Sequence, residues 1–233
     1  MEFFIGTSGW FYSWNPNESF DWYVNFSGLN AIELNVSFYR FPFPNMIRSW
    51  AIKGKALRWV IKVNRLVTHI FKFGKKAYES WQKFHKLFSP LESNIDFYLF
   101  QLPPSITPKS IQKIEEFITK TNLSKRFALE VRNIKWFDKA YIDWTNKLGI
   151  TWVSIDSPDY PLNVYNTNGI VYERMHGRTE WYSHYYTNEE LKEVAEKILK
   201  VKPEKVYVFF NNNHEMLENA RRMQKIFSNL IKS

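Results

Sequence analysis

The stretch RFALEVRNIKWFDKAYIDWTNKLGITWVSID, residues 126–156, decides the fold. It begins and ends on short runs rich in apolar and β-branched residues, 126–131 and 151–156, which read as strands. Between them, 139–148 has helix-like spacing, and Gly149 is placed to stop the helix. Strand, helix and strand in this span make one parallel β–α–β unit. The same kind of run recurs at 3–7 (FFIGT), 31–35 (AIELN), 58–63 (RWVIKV), 97–101 (FYLFQ), 170–175 (IVYERM) and 205–210 (KVYVFF).

The segments between these runs mostly carry helical spacing. Ile111, Ile114, Phe117 and Ile118 share one face within 108–121, with Thr107 as its N-cap and Pro108 in the first turn. Thr187 and Glu190 form a capping-box pattern ahead of Leu191, Val194, Ala195, Ile198 and Leu199. Residues 78–88 are helix-like, and Leu217, Ala220, Met223, Phe227 and Leu230 repeat the spacing near the C-terminus. The exception is 157–169 (SPDYPLNVYNTNG), whose Pro, Asn and Gly predict a long loop.

Eight near-continuous apolar strands alternating with helices predict a parallel sheet covered on its outside. The simplest closure is an α/β fold of the TIM type, a single (β/α)8 barrel whose sixth unit has a long loop in place of a regular helix. An open doubly wound sheet calls for a G-x-G-x-x-G first turn, whereas this chain has Gly6-Thr7-Ser8-Gly9-Trp10. No linker interrupts the alternation, so 1–233 reads as one domain.

Composition narrows the partners. The 233 residues contain 32 Lys and Arg against 23 Asp and Glu, a formal net charge of +9, which favours phosphate-bearing partners. Cysteine is absent, which excludes disulfides, thiolate metal sites and thiol nucleophiles. Without a basic, apolar leader or a membrane-length apolar run, a cytoplasmic protein with no membrane partner is expected. Twenty Phe, 13 Tyr and 10 Trp exceed what a core of this size needs, leaving rings for a surface or cleft.

In such a barrel the active face lies at the carboxyl ends of the strands. The polar residues there are Glu33, Asn35, Tyr39 and Arg40 after the second run, Lys62, Asn64, Thr68 and His69 after the third, and Gln101 after the fourth. Glu130, Arg132 and Trp136 follow from the fifth, Asp156 from the sixth, Arg174, His176 and Arg178 from the seventh, and Asn211 and Asn212 from the eighth. Residues two apart on a strand share a face, so Glu130 with Arg132 and Arg174 with His176 are expected to meet at the barrel mouth. Buried charges cost several kcal/mol each unless paired, so these groups must either interlock or hold a ligand.

Seven blocks then carry a resemblance. They are Ile5-Gly6-Thr7-Ser8-Gly9-Trp10, Glu33-Leu34-Asn35 with Phe38-Tyr39-Arg40, Thr68-His69, Gln101-Leu102-Pro103-Pro104, Glu130-Val131-Arg132, Arg174-Met175-His176-Gly177-Arg178 and Phe210-Asn211-Asn212. In this order they resemble the YecE-like family, domain of unknown function 72, over nearly the whole chain. The resemblance implies a single TIM-type barrel with these blocks around one cleft, and no settled reaction. Two departures stand out: Asn213 replaces the family's usual Asp, and Asn133-Ile134-Lys135-Trp136 replaces His-Pro-Ser-Trp.

The charges assigned to the mouth are mainly cationic, and arginine forks suit phosphate and carboxylate. The reading is therefore a cationic cleft for an anionic small molecule or nucleic acid, with phosphoester hydrolysis as its reaction. Glu33, Glu130, Asp156 and His176 are the catalytic candidates. The ligand-binding candidates are Trp10, Asn35, Tyr39, Arg40, Lys62, His69, Gln101, Arg132, Trp136, Arg174, Arg178, Asn211 and Asn212. Rings expected on the surface, Trp10, Tyr12, Trp14, Trp136, Trp181, Tyr182, Tyr185 and Tyr186, suit stacking on bases. Two alternatives stand beside it: a sugar or sugar-phosphate enzyme using Glu33 and Glu130 as paired carboxylates, and a barrel that binds nucleic acid or protein without turnover. A divalent cation held by Glu33, Glu130 and Asp156 stays open, as does the oligomeric state.

Overall fold

The computed structural model describes residues 1–231. The eight strands are β1 (Glu2–Thr7), β2 (Ala31–Leu34), β3 (Arg58–Lys62), β4 (Ile95–Gln101), β5 (Phe127–Glu130), β6 (Thr151–Asp156), β7 (Ile170–Met175) and β8 (Lys205–Phe210). They close in chain order into a barrel, and the pairings resolved between neighbours are parallel. The helices are α1 (Phe20–Phe26), α2 (Val36–Tyr39), α3 (Pro44–Lys53), α4 (Lys75–Leu87), α5 (Ile111–Thr121), α6 (Lys139–Lys147), α7 (Asn188–Lys200) and α8 (Met216–Leu230). No helix lies between β6 and β7, as the composition of 157–169 predicts. Among the described residues no helix is long and apolar enough to cross a membrane.

Local signals mostly act as expected. Thr187 caps α7 and Glu190 returns the bond, completing the capping box. Gly149 follows α6 with φ +67, a conformation that a Cβ disfavours. Thr107 differs: it precedes a 3-10 turn, Pro108–Ser110, makes no side-chain cap bond, and α5 starts only at Ile111.

The chain groups into two compact units. Unit 1 comprises 1–33, 56–58 and 153–233, and unit 2 comprises 34–55 and 59–152. In unit 2, Tyr98 and Phe100 point outward onto Trp81 of α4, at ring separations of 4.9 and 5.2 Å. Leu99 and Gln101 therefore point inward, and the register places Lys62 beside Leu99 and Glu130 beside Gln101 on that same face. In unit 1, Phe3 packs outward on Phe227 of α8, so Phe4, Gly6 and Ser8 face inward. Gly6 is required there: a Cβ would lie 2.4 Å from the Ala31 carbonyl oxygen and 2.9 Å from the Phe209 ring. Trp59, Trp152 and Tyr98 are fully buried, and burying such side chains contributes on the order of 1.5–3 kcal/mol each.

Candidate functional site

Unit 1 builds its strand ends around Glu33. The β7 alternation puts Tyr172, Arg174 and His176 on one face, and all three are fully buried. Glu33 accepts bonds from Ser8 Oγ (2.6 Å), Tyr172 Oη (2.5 Å), Arg174 Nε (2.9 Å) and Arg174 Nη2 (2.5 Å). Both carboxylate oxygens are thus committed, and the bidentate fork holds the guanidinium in place. Arg174 Nη1 lies 3.3 Å from His176 Nε2. Guanidinium nitrogens only donate, so Nε2 accepts and the ring carries its proton on Nδ1, which lies 3.2 Å from the Asn211 amide. That arrangement requires the Asn211 side chain to present its oxygen to Nδ1.

Asp156 stands apart from this inner group. The register sets Ile155 beside Arg174 and Asp156 beside Met175, so Asp156 shares the outer face with Ser154 and Glu173. Its carboxylate accepts from Tyr186 Oη (2.8 Å) and Arg178 Nε (3.0 Å), and Arg178 Nη1 donates to Glu193 (2.7 Å). Burial raises the Asp156 pKa, outweighing Arg178. Glu173 is raised further, by burial first and the neighbouring Asp156 second, and its Oε2 has no hydrogen-bond partner.

Segment 177–187 covers His176. Trp181 and Tyr182 approach its ring at 5.2 and 5.4 Å, while Trp181 Nε1 donates to Asp159 at 2.6 Å. Tyr182 and Tyr185 are exposed, Trp10, Tyr12, Trp14 and Trp181 partly so. Two rings expected on the surface are instead fully buried. Tyr186 is tied to Asp156, and Trp136, in unit 2, donates from Nε1 to the Ile106 carbonyl at 2.9 Å. Asn212 is buried too, with Nδ2 on the His184 carbonyl (2.6 Å) and Asn219 (2.8 Å). An indole or amide can be buried once its donor finds an acceptor, and each of these has done so.

Unit 2 presents a different set. Arg132 Nε donates to Glu130, with both side chains buried. Lys62 Nζ lies 4.5 Å over the Phe38 ring, and the His69 ring meets Phe38 edge-on at 5.0 Å. His69 Nδ1 is 2.8 Å from Thr68 Oγ1. Its pKa is lowered to about 4, by partial burial first and then by the positive charges of Lys62 and Arg65. The imidazole thus sits in a partly buried pocket with positive charge beside it at the end of β3. Asn35, half-buried here, keeps an Oδ1 without a hydrogen-bond partner, whereas Tyr39 and Arg40 are exposed. Gln101 is half-buried at the end of β4.

Three of the five cations expected to face a ligand are therefore spoken for by carboxylates: Arg174 by Glu33, Arg132 by Glu130, and Arg178 by Asp156 and Glu193. Burial enforces this, because an enclosed guanidinium without an anion is too costly. Among the described residues no group of three or more His, Asp or Glu could hold a metal ion, so Glu33, Glu130 and Asp156 are not gathered into one. The participants not singled out from sequence are Tyr172 and Arg65, and Ser8 stood only within the block 5–10, without a role of its own. Tyr172 was within reach through its two-residue spacing from Arg174, whereas Arg65 carries no such mark.

Solved structures share this architecture. A DUF72 family protein from Thermotoga maritima superposes with a TM-score of 0.82 at 24% identity, each chain covering 100% of the other. One from Enterococcus faecalis gives 0.81 at 20% identity, over 97% of this chain and 95% of that one. No curated protein matches. The family model described as "Protein of unknown function DUF72" matches residues 4–232, and with nearly its whole length covered the chain belongs to that family.

Proposed function

We propose that the protein binds a phosphate-bearing ligand at the carboxyl end of β3, on Lys62, Arg65 and His69. The observation that carries this reading is the gathering of Lys62 and His69 against one ring, Lys62 Nζ 4.5 Å over Phe38 and the His69 ring edge-on to it at 5.0 Å; partial burial first, and Lys62 and Arg65 next, lower the His69 pKa there. A bound phosphate would offset both causes, since a negative charge beside the ring favours its protonated form. Phosphoester hydrolysis is the reaction assigned to the site. The water oxygen would attack phosphorus as the bond to the ester oxygen breaks; His69 would accept the water's proton and return it to the leaving alcohol, with Lys62 and Arg65 taking up the charge on the phosphoryl oxygens. Nδ1 lies against Thr68, which leaves Nε2 for that proton.

The test titrates His69 by NMR with and without inorganic phosphate. Its pKa should rise from about 4 toward the ordinary histidine range as phosphate saturates, and Lys62→Met should abolish both the rise and the calorimetric binding signal. A His69 pKa indifferent to phosphate overturns the reading. For the reaction, His69→Asn should remove hydrolysis of a phosphodiester reporter while inorganic phosphate still binds. Turnover that survives this change removes His69 from the chemistry. Glu33 and Glu130 each already accept from an arginine, which gives the paired-carboxylate alternative no comparable support.

A further inference from the structure

Resting on that phosphate site, we infer that the phosphate belongs to a nucleotide whose base stacks on Tyr39. Three observations within unit 2 lead there. Phe38 is buried and joins Lys62 to Tyr39: Lys62 Nζ lies 4.5 Å from its centroid on one side, and the Tyr39 ring meets it edge-on at 5.0 Å on another. His69 meets the same ring at 5.0 Å. The cationic end of β3 and the tyrosine are thus two contacts apart, comparable to the one sugar that separates a phosphate from its base.

The second observation is exposure. Tyr39 is 69% exposed although it ends a helix whose preceding residue is buried. A large ring left in water beside a cationic site offers a flat apolar face, and base–aromatic stacking is the contact that uses such a face with little regard to base identity. The third is the character of residues 40–44. Arg40 is exposed, and Phe41 and Phe43 are 36% and 71% exposed, with Pro42 and Pro44 between and after them. The prolines fix φ and hold these rings out with less backbone freedom than other residues would allow. A guanidinium and further rings next to Tyr39 suit a second nucleotide unit.

The shared chemistry is a phosphate with an attached base, supplied by a free nucleotide or by a single strand. Calorimetry with inorganic phosphate, ribose 5-phosphate, thymidine 5′-monophosphate and an octamer of thymidylate separates the cases. Thymidine monophosphate should bind about tenfold more tightly than inorganic phosphate and ribose 5-phosphate. Tyr39→Ala should erase that gain and leave inorganic phosphate unaffected, and Tyr39→Phe should restore it. An octamer tighter than the mononucleotide, with affinity falling steeply in salt, assigns the strand as the source. Equal affinities assign the free nucleotide. If inorganic phosphate fails to bind, the underlying site reading is lost. If phosphate binds while the nucleotide gains nothing, or Tyr39→Ala changes nothing, this inference alone falls.

Discussion

The strand ends of unit 1 and of unit 2 hold the same kinds of residue in different arrangements. In unit 1, Arg174 meets Glu33 and Arg178 meets Asp156 and Glu193, so each cation is cancelled where it stands. In unit 2, Arg132 meets Glu130 in the same way, while Lys62 leans on the Phe38 ring beside His69, whose pKa is lowered to about 4 by partial burial first and then by Lys62 and Arg65. Counting basic residues along the sequence does not separate these cases. What separates them is visible only in the fold: Arg174, Arg178 and Arg132 each lie against a carboxylate, and Lys62 lies over the Phe38 ring. A guanidinium locked to a buried carboxylate shapes the barrel, whereas Lys62 and Arg65 add positive charge beside a partly buried imidazole, the setting proposed to draw in an anion.

The sharpest way to break this comparison is Arg174→Met. It strands Glu33 in a dry interior and should cost about 3–5 kcal/mol in urea unfolding, and the double variant Glu33→Met with Arg174→Met should regain much of the loss. A variant as stable as the parent that has lost phosphate binding would reverse the roles assigned to the two regions. Next comes Lys62→Met, which should weaken phosphate binding by at least about tenfold, roughly 1.4 kcal/mol, and raise the His69 pKa, since one depressing charge is gone. A His69 titration unmoved by this change would mean that the potential arises elsewhere.

A third test uses the unpartnered acid of unit 1. The folded-state pKa of Glu173 lies well above its unfolded value. Between the two the folded state holds the extra proton, so stability falls as pH rises, by up to about 1.4 kcal/mol per pH unit. Glu173→Gln should remove that slope and raise the thermal midpoint at neutral pH; unchanged slopes would place the titration on another group, Asp156 first. The smallest effect belongs to Glu92 in unit 2, which accepts from Tyr98 (2.6 Å) and pairs with Arg126 (2.7 Å). These partners overcome burial and hold its pKa near 2. Its contribution is present above the ordinary glutamate range and fades as pH falls through about 2. With about a third of both side chains exposed, Glu92→Gln should cost less than about 1 kcal/mol near neutrality.

Much of the architecture was legible because strands and helices are short-range patterns. Runs 151–156, 170–175 and 205–210 match β6, β7 and β8 residue for residue, and the helix-poor 157–169 stayed helix-free. The family blocks were legible for the same reason. The candidate site was legible only as residue types at strand ends. Asp156 looked equivalent to Glu33, yet a one-residue difference in register puts it on the outer face. Trp136 looked like a surface ring, yet the Ile106 carbonyl lies where its indole can donate. Neither fact is written near the residue concerned, since each depends on a neighbour about 20 to 30 positions away in the chain.

The sequence by itself determined that alternating strands and helices would wind into a parallel barrel, that loop 157–169 would replace a helix, and which charged side chains would reach the strand ends. These properties come from periodicity, turn chemistry and the two-residue repeat, all of which act over a few residues. Only the tertiary structure decided which charges meet. That outcome depends on distances of a few ångströms between residues far apart in sequence, such as Glu33 and Arg174, and on burial, which makes those distances matter energetically.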